Sequence, residues 1–182
     1  MNRRRLLAGL AGGGVVGAGW GISTGSLPTD AVSTAEQADA DIVGERIETV
    51  EAPGSVAGEQ AIPAEGPLAV DFMSVTCSVC EDSMPALVEA YEAYGESVSF
   101  LSVSTDPVGF SVEESTLVEW WADHDGQWSL GVDAQLSVTQ QLEVSAVPTT
   151  VLIDEDGREL DRLRGEKTTA ELSSMLEAVD GA

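Results

Sequence analysis

Leu68-Ala69-Val70-Asp71-Phe72-Met73-Ser74-Val75-Thr76-Cys77-Ser78-Val79-Cys80 is the stretch on which the fold turns. Its first six residues form a short, largely apolar run, the pattern of a strand buried on both faces. Beyond Cys80, Met84, Leu87, Val88, Tyr91 and Tyr94 fall on one helical face, and Gly95 ends the pattern. The chain's only two cysteines thus stand directly after a buried strand and at the opening of a helix. At i and i+3 on a helix, Cβ atoms lie about 5–6 Å apart, close enough to be bridged with modest adjustment.

Position matters as much as spacing. Free backbone N–H groups and the macrodipole at a helix N-terminus favour an anion. Such settings lower a thiol pKa from about 8.5 into a range of roughly 3.5–7.5. Cys77, the first of the pair, is expected to be the exposed nucleophile. Cys80, one turn in, is expected to be the more buried resolving thiol. Glu81 and Asp82 oppose a thiolate and moderate the effect. A purely structural staple is a poor account, since so short a loop removes little unfolded-state entropy. A zinc knuckle needs four ligands, and only His124 is left as a soft candidate.

Downstream, residues 98–103 read as a strand, 112–124 as a helix, 128–132 as a short strand and 134–142 as a third helix. A strand entered through Pro148 runs to Asp154, and Asp154-Glu155-Asp156-Gly157 turns into a last strand at 158–164. The same acidic run lacks the later glutamate of a calcium loop. The closing helix starts at Thr168-x-x-Glu171, a capping box, and buries Leu172, Met175, Leu176 and Val179. These elements imply an α/β fold, a mixed sheet with helices on both faces, ending in a β-hairpin and a helix.

The segment Val70-Asp71-Phe72, Cys77-Ser78-Val79-Cys80 and Pro85, with Val147-Pro148-Thr149 much later, resembles the thioredoxin superfamily. An acid stands six residues before the first cysteine, a proline five residues after the second, and a Val-Pro-Thr leads into a strand. Ser104-Thr105-Asp106-Pro107 and the long stretch from Phe100 to Val147 resemble the exported redoxins of the TlpA/ResA type. The resemblance covers about 110 residues. The chain departs from that pattern at Thr76, where the family usually has an aromatic residue, and at Ser83, where ResA-like proteins place a carboxylate. A peroxiredoxin reading fails, because Val70 fills that family's proline position.

The resemblance implies a thioredoxin-like fold and thiol–disulfide exchange at Cys77 and Cys80. It implies that Asp71, a buried acid in apolar surroundings, takes the proton of Cys80 during resolution. Pro148 is expected to be cis, with Val147, Pro148 and Thr76 receiving the partner chain. No cofactor and no metal are implied. The expected partners are protein thiols or disulfides outside the cytoplasm, including apocytochrome c thiols, with a membrane or soluble electron donor. The alternative is a copper metallochaperone of the Sco type for oxidase assembly, with His124 as the added ligand. Sco-like proteins, however, separate their cysteines by three residues rather than two. A surface role beside acids suits His124 better, and Trp120, Trp121 and Trp128 suit the core or its lip.

Working back to the start, Asn2-Arg3-Arg4-Arg5 precedes an apolar run to Ile22 containing seven glycines. This reads as a twin-arginine-type export signal or an N-terminal anchor over 1–22. Residues 23–45 have the composition of a flexible linker, leaving 46–182 as the thioredoxin-like domain. Acids number 32 against 8 Lys and Arg, for a net charge of −24, and Lys167 is the sole lysine. Such a surface excludes nucleic acid and anionic headgroups as partners of the folded domain. It suits molar salt, where the Debye length falls to about 3 Å. The expectation is an exported protein of a halophile, secreted or held at the outer face of the cell membrane.

Overall fold

The computed structural model describes Ile42 and residues 44–179; the segments read as signal and most of the linker lie outside the described residues. Seven strands and four helices follow in the order β1 (Glu45–Thr49), β2 (Gly58–Ile62), β3 (Leu68–Met73), α1 (Ser78–Tyr94), β4 (Ser99–Ser104), α2 (Glu114–Asp123), β5 (Ser129–Val132), α3 (Ser137–Gln141), β6 (Thr149–Ile153), β7 (Glu159–Arg164) and α4 (Thr169–Glu177). They build one sheet in the order β2-β1-β5-β4-β3-β6-β7. β3 runs parallel to β4 and antiparallel to β6, so the sheet is mixed.

Every residue of β3 is buried because both its faces are covered. Ala69 and Met73 point to one core with α1, α2 and α4, through Leu87, Leu117, Trp121 and Leu172. Leu68, Val70 and Phe72 point to the other, which α3 closes with Val138. Asp71 shares the face of Ala69 and Met73 by the two-residue period of a strand. That places a carboxyl beneath α1. Pro85 lies within α1, which continues through it to Tyr94. A mid-helix proline costs about 3 kcal/mol, whereas burying Met84 and Leu87 contributes roughly 1.5–3 kcal/mol each. Packing outweighs the break.

Three findings depart from the sequence reading. The β1–β2 hairpin was not expected. Its five-residue strands bury little beyond Ile47, Thr49 and Ile62, and charged residues occupy the alternate positions. The loop between them is seated on the rest of the fold. Trp121 Nε1 donates to Pro53 O at 3.0 Å, and a Cβ on Gly54 would stand 1.9 Å from the Gln127 backbone. Ordered chain also begins inside the segment of linker composition: Ile42 is fully buried, its N–H donating to Gly157 O at 2.9 Å. The third helix is shorter than 134–142: Leu136 before it is left-handed, at φ 58°, and Asp133 accepts from the backbone N–H groups of Ser137 and Thr139 at its start. Among the described residues, no helix is long and apolar enough to cross a membrane.

Candidate functional site

Three residues, Ser74, Val75 and Thr76, link the end of β3 to Cys77, the residue before α1. Cys77 is the N-cap of α1 in extended conformation, held by its N–H on Ser74 O at 3.1 Å. Its Sγ accepts from the N–H of Cys80 at 3.1 Å. A helix-terminal N–H aimed at this sulfur is the local device that favours negative charge there. The two cysteines form a disulfide across a Cα–Cα distance of 5.2 Å. Cys77 is half-buried and Cys80 is 2% exposed, so the first sulfur is the one a partner could reach. Glu81 and Asp82 are exposed on the same first turns.

Below the helix, Asp71 stands in register with Ser102 of β4 and Thr150 of β6. It is 4% exposed and accepts from Thr150 Oγ1 at 2.7 Å. Its surroundings are not simply apolar, contrary to expectation: Lys167 Nζ lies 3.0 Å from Asp71 Oδ1, with the lysine side chain 1% exposed. That contact is an ion pair, and the ammonium has no hydrogen-bond geometry to any described residue. Lys167 enters from the loop before α4, where its N–H donates to Ser83 Oγ at 3.2 Å. Ser83 is fully buried one turn beyond Cys80, so Lys167 touches both the helix carrying the cysteines and the strand beneath it.

The loop that carries Cys77 is held from the side. Asp106, in the segment leaving β4, accepts from Ser74 Oγ at 2.7 Å, from the Val75 N–H at 2.9 Å and from Ser104 Oγ at 2.9 Å. Ser74 Oγ in turn accepts from the Thr76 N–H at 3.2 Å. Across the sheet, the Val147–Pro148 peptide is cis. β6 starts at Thr149, paired with Phe72 near the end of β3, so Val147 and Pro148 lie at the same end of the sheet as Thr76 and Cys77. Thr76 is exposed, Val147 half-buried and Pro148 buried.

Other residues weighed from the sequence fall outside this cluster. His124 caps the end of α2, its ring stacked on Trp120 with centroids 4.2 Å apart. Its Nδ1 lies 2.6 Å from Trp120 O and its Nε2 3.7 Å from Glu81 Oε1. Among the described residues, no three His, Cys, Asp or Glu side chains converge as a metal site. Trp121 and Trp128 are core residues in edge contact. Sequence reasoning missed Lys167 and the clamp by Asp106. For Lys167 the signal was a solitary lysine next to a capping box in an acid-rich chain, and for Asp106 its place in Ser104-Thr105-Asp106-Pro107.

Comparison with known proteins agrees with this architecture. Residues 55–180 match the family described as a thioredoxin-like domain. Curated relatives include the thiol-disulfide oxidoreductase ResA of Bacillus cereus, 25% identical over 111 residues, covering 60% of this chain and 61% of the relative. Another is YkuV of Bacillus subtilis, 27% identical over 105 residues, covering 58% and 70%. The aligned stretch thus spans about three fifths of the ResA relative's length. Among solved structures, StoA from Bacillus subtilis superposes with a TM-score of 0.59 at 20% identity, covering 73% of this chain and 97% of that one. A secreted Mycobacterium tuberculosis disulfide oxidoreductase gives 0.62 at 16%, covering 74% and 96%. The family match runs through most of the chain and takes in the strand, loop and helix that carry Cys77 and Cys80: the chain belongs to the family of thioredoxin-like domains.

Proposed function

We propose that this chain is an extracytoplasmic thiol–disulfide oxidoreductase working through Cys77 and Cys80. The observation that carries the reading is the sulfur of half-buried Cys77 at the N-cap of α1, 3.1 Å from the Cys80 N–H. The Cys77 thiolate attacks a partner disulfide, forming a mixed disulfide and releasing one partner thiolate. The Cys80 thiol then gives up its proton and attacks the Cys77 sulfur, releasing the second partner thiol and leaving the Cys77–Cys80 disulfide. Two electrons pass from the dithiol to the partner, and a donor dithiol must restore them.

Asp71 is the base in this scheme, accepting the Cys80 proton from the face of β3 beneath α1. Lys167 keeps that buried carboxyl compensated. Thr76, Val147 and Pro148 form the surface on which the partner backbone lies. Protein thiols outside the cytoplasm, apocytochrome c among them, are the substrates, and the arginine-led N-terminal segment directs export or anchors the chain. The named activity of ResA and YkuV and the secreted state of the Mycobacterium relative support this assignment.

The test is exchange with glutathione in molar salt. Wild-type protein is expected to exchange, Cys77→Ser to be inert, and Cys80→Ser to stall as a covalent adduct at Cys77. A reduced Cys77 that resists alkylation at neutral pH defeats the reading. Tight stoichiometric copper binding without disulfide exchange would reverse it in favour of copper delivery.

A further inference from the structure

Asp106 is a buried acid with no part in the exchange chemistry above. It is 6% exposed, and the three groups bonded to its carboxylate oxygens all donate: Ser74 Oγ, the Val75 N–H and Ser104 Oγ. The loop it grips is the whole connection between β3 and Cys77. Thr105 adds to the grip, its N–H donating to Met73 O at 3.0 Å. Among the described residues, no Lys, Arg or His forms a salt bridge with Asp106. Asp71, the other buried carboxyl near the pair, has Lys167. The site therefore contains one buried negative charge that is solvated by hydrogen bonds but not neutralised.

We propose that Asp106 is a positioning residue that poises the Cys77–Cys80 pair as a reductant: its clamped carboxylate fixes the loop before Cys77 and opposes a second negative charge on that sulfur. The inference rests on the exchange activity proposed above and adds its direction. The couple is Cys77–Cys80 dithiol plus glutathione disulfide giving Cys77–Cys80 disulfide plus two glutathione thiols, two electrons and two protons moving together. Anything that disfavours the Cys77 thiolate disfavours the reduced form and drives this reaction forward. The Cys80 N–H and the end of α1 act in the opposite sense. The remaining titratable groups around the pair are Glu81 and Asp82 on α1, His124 at the end of α2 against Glu81, and the compensated Asp71–Lys167 pair. Glu81 and Asp82 face water, so molar salt screens them to a Debye length of about 3 Å; a buried charge is screened far less. In high salt Asp106 is the charge that continues to act.

The test measures the glutathione exchange constant and the Cys77 titration for the full chain, at low and at molar salt. Asp106→Asn is expected to move the constant about tenfold toward the dithiol, close to 30 mV, in both salts, with Cys77 ionising at lower pH. The double variant E81Q/D82N is expected to shift it at low salt only. Ser74→Ala keeps the charge and removes one contact, so its shift is expected to stay well below that of D106N. Should D106N not fold, Asp106→Ser removes the same charge with a smaller side chain. A folded D106N or D106S with an unchanged constant and unchanged Cys77 titration overturns the proposal. Wild-type protein that fails to exchange at all instead defeats the activity on which it rests.

Discussion

Lys167 shows what a single buried charge demands of its neighbours. With its side chain 1% exposed and its ammonium 3.0 Å from Asp71, it offsets a carboxyl whose own side chain is only 6% exposed. Removing one member of a buried pair strands the other, at a cost of about 3–5 kcal/mol, whereas replacing both is often close to neutral. Lys167→Met is therefore expected to lower stability by that amount, and the double change D71N/K167M to restore most of it. Denaturant midpoints in molar salt measure both. A K167M protein within about 1 kcal/mol of wild type, less than that range, would mean that the pair is not as dry as its burial implies. Cys77 and Cys80 stand out from composition and spacing, and Asp71 from the resemblance to the thioredoxin superfamily. Lys167 does not, since nothing local to Glu166-Lys167-Thr168 states which carboxyl it will meet.

At the scale of elements, α4 is the best match between expectation and outcome. Thr168 accepts from the Glu171 N–H at 3.3 Å while Glu171 accepts from the Thr168 N–H at 2.9 Å, the reciprocal pair that the Thr-x-x-Glu spacing predicts. Thr168→Ala is expected to cost about 1 kcal/mol, read as a lowered melting temperature. The hydroxyl and then the backbone N–H of Thr168 hold the Glu171 carboxyl below its ordinary value of 4.5. A depressed acid contributes stability that is present above its unfolded value and lost as pH falls through its folded value. Glu171→Gln should therefore track wild type less closely above that point than below it, the gap in melting temperature closing as pH falls beneath about 4.5. A gap that stays constant with pH would show that the cap owes nothing to ionisation. The β1–β2 hairpin is the opposite case. Its strands have mixed, partly charged faces, and pairing with β5 and packing of Ile47, not their own alternation, keep them in the sheet.

For the molecule as a whole, a net charge of −24 on 182 residues is expected to make stability depend on salt. Self-repulsion among surface acids is strong at low ionic strength and fades as the screening length shrinks. The melting temperature is expected to climb between millimolar and molar sodium chloride, and most of the climb to occur before hydrophobic salting effects dominate. A flat profile would remove the basis for placing this protein in concentrated salt. What the residues determined by themselves is what neighbours three or four positions apart can settle: a buried strand, a helix opened by Cys77 and Cys80, a proline-led strand and a capped final helix. Only the folded chain decided that Lys167 lies on Asp71, that Asp106 reaches Ser74 across 32 positions, and that the 45–62 segment extends the sheet beyond β5. Contacts of that kind are made by chain reversal and sheet order, and they leave no period in the sequence to read.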